Sequence, residues 1–150
     1  MDQMKKTLCE GLPLLGLELE AQTVDTLCAF GQGVVKQNEV MNLTAITEPD
    51  RVAKLHLLDS LSVLAVKDLK GKRMVDVGCG AGFPSLPLAI ARPDIRVTSL
   101  DSTAKKLGFV GLEFLCGDIS KYDAGEKVHL VISLHACDTA TDLVLAKAME

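Results

Sequence analysis

Met74-Val75-Asp76-Val77-Gly78-Cys79-Gly80-Ala81-Gly82-Phe83-Pro84, followed by Ile95-Arg96-Val97-Thr98-Ser99-Leu100-Asp101, decides the reading of this chain. A short apolar run enters a glycine-rich loop, and a second apolar run ends in an acid. Pro84 to Ala91 between them has helical spacing, so the order is strand, loop, helix, strand. Glycines at such a strand-to-helix turn let the backbone fold tightly and approach a ligand closely.

The pattern continues on both sides. Ser102 to Val110 reads as a short helix capped by Ser102 or Thr103, Leu112 to Cys116 and Val128 to Leu134 as strands, and Thr139 to Met149 as a last helix. Strands alternating with helices imply a parallel, doubly wound sheet. Upstream the period is helical. Thr23 to Gln37 carries Val24, Leu27, Cys28, Val34 and Val35, with weak points at Gly31 and Gly33. Asn42-Leu43-Thr44 is a break. A helix over Asp50 to Val66, with Thr47 as N-cap and Pro49 in its first turn, puts Val52, Leu55, Leu58, Leu61 and Leu64 on one face. The expected division is a helical cap over residues 1–70 and a Rossmann-like α/β part over residues 71–150.

Bulk properties bound the function. The chain has 150 residues, 48% hydrophobic and 24% charged, which is ordinary for one globular unit. No apolar run reaches the roughly 18 residues that span a bilayer, and the start lacks a signal-peptide pattern, so the expected location is the cytoplasm. The five cysteines are odd in number and form no Cys-x-x-Cys, which argues against disulfides or structural zinc; most are expected to be buried small hydrophobes. The net charge is −4, with one Tyr, four Phe and no Trp, so composition gives no support for nucleic-acid binding.

Two ligands compete for the glycine loop. A nicotinamide dinucleotide would need Gly-x-Gly-x-x-Gly to seat a pyrophosphate on the helix N-terminus. Here the third glycine comes one position early, and Asp76 stands just before the loop. A carboxylate beside a pyrophosphate is unfavourable, whereas beside the ammonium of a methionine it is favourable. Asp101 ends the second strand, where a carboxylate can accept from both ribose hydroxyls. These features favour S-adenosylmethionine (AdoMet) and a class I methyltransferase, with the dinucleotide and a purely structural turn as alternatives. Asp118, after the third strand, reads equally as an acceptor for the adenine amino group, with an apolar neighbour on the ring, or as a turn aspartate.

On specific stretches the chain resembles the RsmG (GidB) family, the ribosomal RNA small subunit methyltransferases G. They are Asn38-Glu39-Val40-Met41-Asn42-Leu43-Thr44-Ala45-Ile46, Lys54-Leu55-His56-Leu57-Leu58-Asp59-Ser60-Leu61, the loop from Asp76 to Pro84, Leu86 to Pro93, and Leu100-Asp101-Ser102. The resemblance covers residues 1 to about 110. It implies methylation of a guanine N7 in 16S ribosomal RNA, with AdoMet as donor and the small ribosomal subunit as partner. It also implies that Gly78 and Phe83 line the cofactor and that Asp118 and Ile119 lie near the adenine; Cys79 and Gly80 complete the expected cofactor set with Asp76 and Asp101. His56 and Asp59 then help join the cap to the cofactor part, against the plainer reading of a surface ion pair.

The chain departs from that family in places. Gln37 stands where the family usually has Trp, and Ser133-Leu134-His135-Ala136-Cys137-Asp138 replaces a Ser-Arg-Ala pattern, resembling another class I methyltransferase group. His135 there is read as a base or hydrogen-bond partner for the methyl acceptor, or as a structural residue; Asp138 and Thr139 as helix caps. No metal site is expected, since His135 and Cys137 lack further ligands. Lys105 and Lys106 read as a solvated face rather than a phosphate contact. The short crossover over residues 102–111 and the absence of three further strands suggest a partial or recombinant domain, and leave a different small-molecule or protein acceptor, or a non-catalytic AdoMet-binding role, as alternatives.

Overall fold

Helical spacing before Lys67 and short runs buried on both faces after Lys72 produce the two halves of the molecule. The computed structural model describes residues 2–101, 113–117, 119–133, 142 and 144–146. Helix α1 (Gln3–Gly11) starts at Asp2, whose side chain accepts the Met4 N–H. After a 3₁₀ turn at Pro13–Leu15, α2 (Ala21–Met41) runs straight through Gly31 and Gly33. Gly31 is where α1 crosses, since a Cβ there would sit 2.9 Å from the Met4 sulfur. The helix stops at Asn42, in the left-handed region at φ 47°, which a short polar side chain tolerates.

The next helix is in three parts: α3 (Pro49–Val52), a π-helical segment Ala53–Leu58, and α4 (Asp59–Val66). Two expectations are corrected here. The N-cap is Glu48 rather than Thr47, because Pro49 takes the first helical position. The buried stripe is Val52, Ala53, Leu57 and Leu61, while Leu55 is 49% exposed. The wider π turn inserts an i→i+5 step between Val52 and Leu57 and rotates the stripe away from its 3.6-residue phase.

The sheet is all parallel, in the order β3-β2-β1-β4, with β1 (Arg73–Val77), β2 (Arg96–Asp101), β3 (Glu113–Cys116) and β4 (Leu130–Ile132). Helix α5 (Ser85–Ala91) carries the chain from β1 to β2. In register, Asp76 pairs with Ser99 and Val77 with Leu100. Met74 packs with Leu88, Ile95 and Val97 on the face covered by α4 and α5, and Val75, Val77 and Leu100 form a cluster on the other face. The α/β Rossmann-like class with a helical N-terminal part is therefore the observed one. The order reverses beside β1, so the carboxyl end of β1 is the switch point where open α/β sheets bind ligands.

One cluster crosses between the halves. Leu8, Leu27, Phe30, Val52, Leu57 and Leu61 of the helices pack with Phe83 and Leu86, which follow the glycine loop. Each such fully buried side chain contributes about 1.5–3 kcal/mol, so loop and helices hold one another in place.

Two glycine substitutions separate backbone demand from simple helix propensity. A Cβ at Gly82 would lie 2.3 Å from Leu86 Cδ1, a fully buried side chain, and φ is +94°, which side chains rarely adopt. Gly82→Ala is expected to cost about 2–4 kcal/mol. Gly33, inside α2, meets nothing within 4 Å, and Gly33→Ala is expected to stabilise by about 0.5–1 kcal/mol. Urea midpoints measure both, and equal midpoints for the two variants contradict this account of the loop.

Candidate functional site

The loop is built from alternate glycines because alternate residues need positive φ: Gly78 at 72°, Gly80 at 53° and Gly82 at 94°. The end of β2 holds its near side. Leu100 C=O accepts the Gly78 N–H at 2.7 Å and the Cys79 N–H at 3.3 Å, and Asp101 Oδ2 accepts the Gly80 N–H at 2.9 Å. Its far side closes on itself, with the Gly82 N–H donating to Cys79 C=O and the Leu86 N–H to Gly82 C=O, both at 2.8 Å. A Cβ at Gly80 would meet nothing within 4 Å, so the loop crest borders open space.

Asp76 lies beneath this loop, 1% exposed. Its Oδ2 accepts the Ser85 N–H at 3.3 Å, and its Oδ1 has no hydrogen-bond partner among the described residues. Burial pushes its carboxyl up to about 7; the Ser85 side chain and, after it, the Ser85 N–H oppose that shift, and the nearby Asp101 carboxylate adds to it. An orphaned, buried carboxyl oxygen beneath the crest favours a cation close above it. It disfavours a pyrophosphate, and the Ser85 and Leu86 N–H groups that would seat one at the start of α5 are already bonded to Asp76 and Gly82. The dinucleotide alternative thus loses both its charge complement and its donors.

The structure brings Asp76, Gly78, Gly80 and Asp101 together at the switch point. Cys79 contributes its backbone there; its side chain is buried, and burial pushes the thiol up to about 12, which keeps it neutral. Cys28 is buried as well, whereas Cys9 and Cys116 are exposed, so burial holds for half of the described cysteines. The Phe83 ring, 5% exposed, is packed between Phe30 and His56. Ile119 starts a 3₁₀ turn after β3 and packs with Val77 and Leu100 on the opposite face of the sheet. Asp118, His135, Cys137, Asp138, Thr139, Ser102, Thr103, Lys105 and Lys106 lie outside the described residues.

The hydrogen bonds that link Asn38, Thr44 and His56, and the aromatic contact from Phe30, were not identified from sequence, although His56 was read as joining the helices to the glycine-loop part. The spacing Asn38-x-x-x-Asn42-x-Thr44 was their visible signal, read as a helix break and as part of the family resemblance. A cavity of about 760 Å³ lies on the other sheet face, between Val75, Tyr122, Val131 and Val144, and no residue of the glycine loop lines it. Among the described residues no cluster of His, Cys, Asp and Glu could hold a metal, and no helix is long and apolar enough to cross a membrane.

Comparison with known proteins bears on the whole chain. The family model described as rRNA small subunit methyltransferase G (GidB) matches residues 23–143. The match runs past residue 110, through the stretch whose sequence pointed to another methyltransferase group. The ribosomal RNA small subunit methyltransferase G of Methylobacillus flagellatus is 37% identical over 140 residues, covering 87% of this chain and 67% of its own length. That of Nitrosococcus oceani is 39% identical, covering 100% of this chain and 70% of its own. That of Coxiella burnetii is 45% identical over 107 residues, covering 71% and 52%.

The buried carboxyl has a measurable consequence. Asp76 keeps its proton in the folded state up to about pH 7 and loses it near 3.8 when unfolded. The folded state binds more protons across that interval, so this group's contribution falls as pH rises from about 4 to about 7. Asp76→Asn removes the dependence. Its stability relative to the parent, from urea midpoints, is expected to grow by more than about 1 kcal/mol over that interval. A difference that stays constant with pH contradicts the placement of Asp76.

Proposed function

The chain belongs to the rRNA small subunit methyltransferase G family, and from that membership we propose that it transfers a methyl group from AdoMet to the N7 of a guanine in small-subunit ribosomal RNA. The observation that carries the cofactor assignment is the loop crest above a buried acid and beside Asp101. In this reading Asp101, whose Oδ2 accepts the Gly80 N–H, also accepts from the ribose hydroxyls. The backbone of Gly78, Cys79 and Gly80 faces the methionine portion, and Asp76 acts on its ammonium from beneath the loop. Phe83 supports the loop, and Asp118 and Ile119 border the adenine. Residues 1–70 serve as the cap and residues 71–150 as the cofactor-binding part, in a cytoplasmic protein.

When bound, AdoMet supplies a sulfonium methyl that needs no further activation. A guanine N7 offers a lone pair and has no proton to lose. The chain's own residues therefore need to orient donor and acceptor rather than to act as a base, and alignment carries most of the acceleration. His135 is assigned at most a hydrogen bond to the acceptor. The acceptor itself rests on the names of the relatives.

Small ribosomal subunits from cells lacking this methylation, incubated with the chain and methyl-tritiated AdoMet, test the reading. Label is expected in the small-subunit RNA at N7 of a guanine, reduced at least about tenfold by Asp101→Ala. A folded chain that binds AdoMet and leaves the RNA unlabelled contradicts the acceptor assignment and favours another acceptor or a binding role.

A further inference from the structure

His56 sits within the π-helical segment Ala53–Leu58. Such turns are rare, because they loosen the helix, and they recur where a side chain is re-aimed for function. Here the extra residue leaves Leu57 in the core and Leu55 at the surface, and it turns the His56 ring toward the glycine loop. That ring stacks on Phe83, with centroids 4.6 Å apart and planes 17° from parallel. Phe30 closes on the same Phe83 ring at 5.1 Å and 53°. Phe83 follows Gly82, which is itself wedged against Leu86.

His56 is held in turn from behind. Its Nε2 lies 2.8 Å from Thr44 Oγ1. The Thr44 N–H donates to Asn38 Oδ1 at 2.8 Å, and the Thr44 hydroxyl oxygen accepts the Ile46 N–H at 3.0 Å. A hydrogen bond at the ring edge fixes its plane, and a fixed plane is what an offset stack requires. The path Asn38, Thr44, His56, Phe83 thus runs in direct contacts from the end of α2 to the loop.

We propose that His56 is a positioning residue for the methyl-donor loop: clamped by Thr44, its ring sets the height of Phe83 and so the crest that faces Asp101. This rests on the AdoMet reading above. A residue of purely local importance would affect the helices and leave the loop alone. His56 couples the two, so its loss reads out as donor affinity.

Calorimetric titration of AdoMet into the full chain and its variants tests this. His56→Ala is expected to bind AdoMet about tenfold more weakly, and His56→Phe, which keeps a stacking ring, to recover to within about threefold of the parent. Thr44→Val is expected to fall in between. Leu69→Ala, which empties a fully buried position outside the cluster that holds Phe83, is expected to lower the melting temperature yet keep the parent's affinity to within about threefold. If His56→Ala does not fold, Thr44→Val carries the test. Parental affinity in every folded His56 and Thr44 variant overturns the proposal, as does an equal loss in Leu69→Ala. Failure of the parent itself to bind AdoMet overturns the cofactor reading instead.

Discussion

The structure depends on three N–H groups of the glycine loop that are tied to the last two residues of β2. Leu100 C=O takes Gly78 and Cys79, and the Asp101 carboxylate takes Gly80. These bonds fix how the chain leaves β1, and with it the start of α5. They also close a lid over Asp76. A carboxyl in that position, 1% exposed, is deprived of water, and Ser85 offsets only part of that loss. The loop thereby covers a carboxyl that burial pushes up to about 7.

The helical half belongs to the same argument. Phe83 and Leu86 lie in its core with Phe30, Leu57 and Leu61, so the glycine loop is bounded by β2 on one side and by the N-terminal helices on the other. A loop with alternate glycines has little conformational preference of its own. Packing from two independent directions supplies the rigidity that its sequence omits.

Much of this was legible in the chain. The strand, loop, helix and strand from Met74 to Asp101 follow from local chemistry: β-branched runs, glycines where φ must be positive, and an acid at the strand end. The parallel sheet followed from the alternation. What was hidden depends on contacts distant in sequence. The stripe Val52, Leu55, Leu58, Leu61, Leu64 fits a regular helix well, and only its packing against α1 and α2 shows that a π turn shifts the phase to Leu57. The burial of Phe83 needs Phe30 and His56, which lie 53 and 27 positions away in the chain. That Asp76 lies beneath the loop rather than on its surface follows from the Ser85 N–H, which no spacing rule anticipates.

The central claim is that the crest beside Asp101 seats AdoMet and rejects a dinucleotide. Isothermal titration of the parent and of Asp101→Ala, each with AdoMet and with NAD, tests it most directly. Saturable binding of AdoMet by the parent, at least about tenfold weaker in Asp101→Ala and with no heat from NAD, is the result this account requires. Binding of NAD, or AdoMet binding that ignores the loss of Asp101, would contradict it.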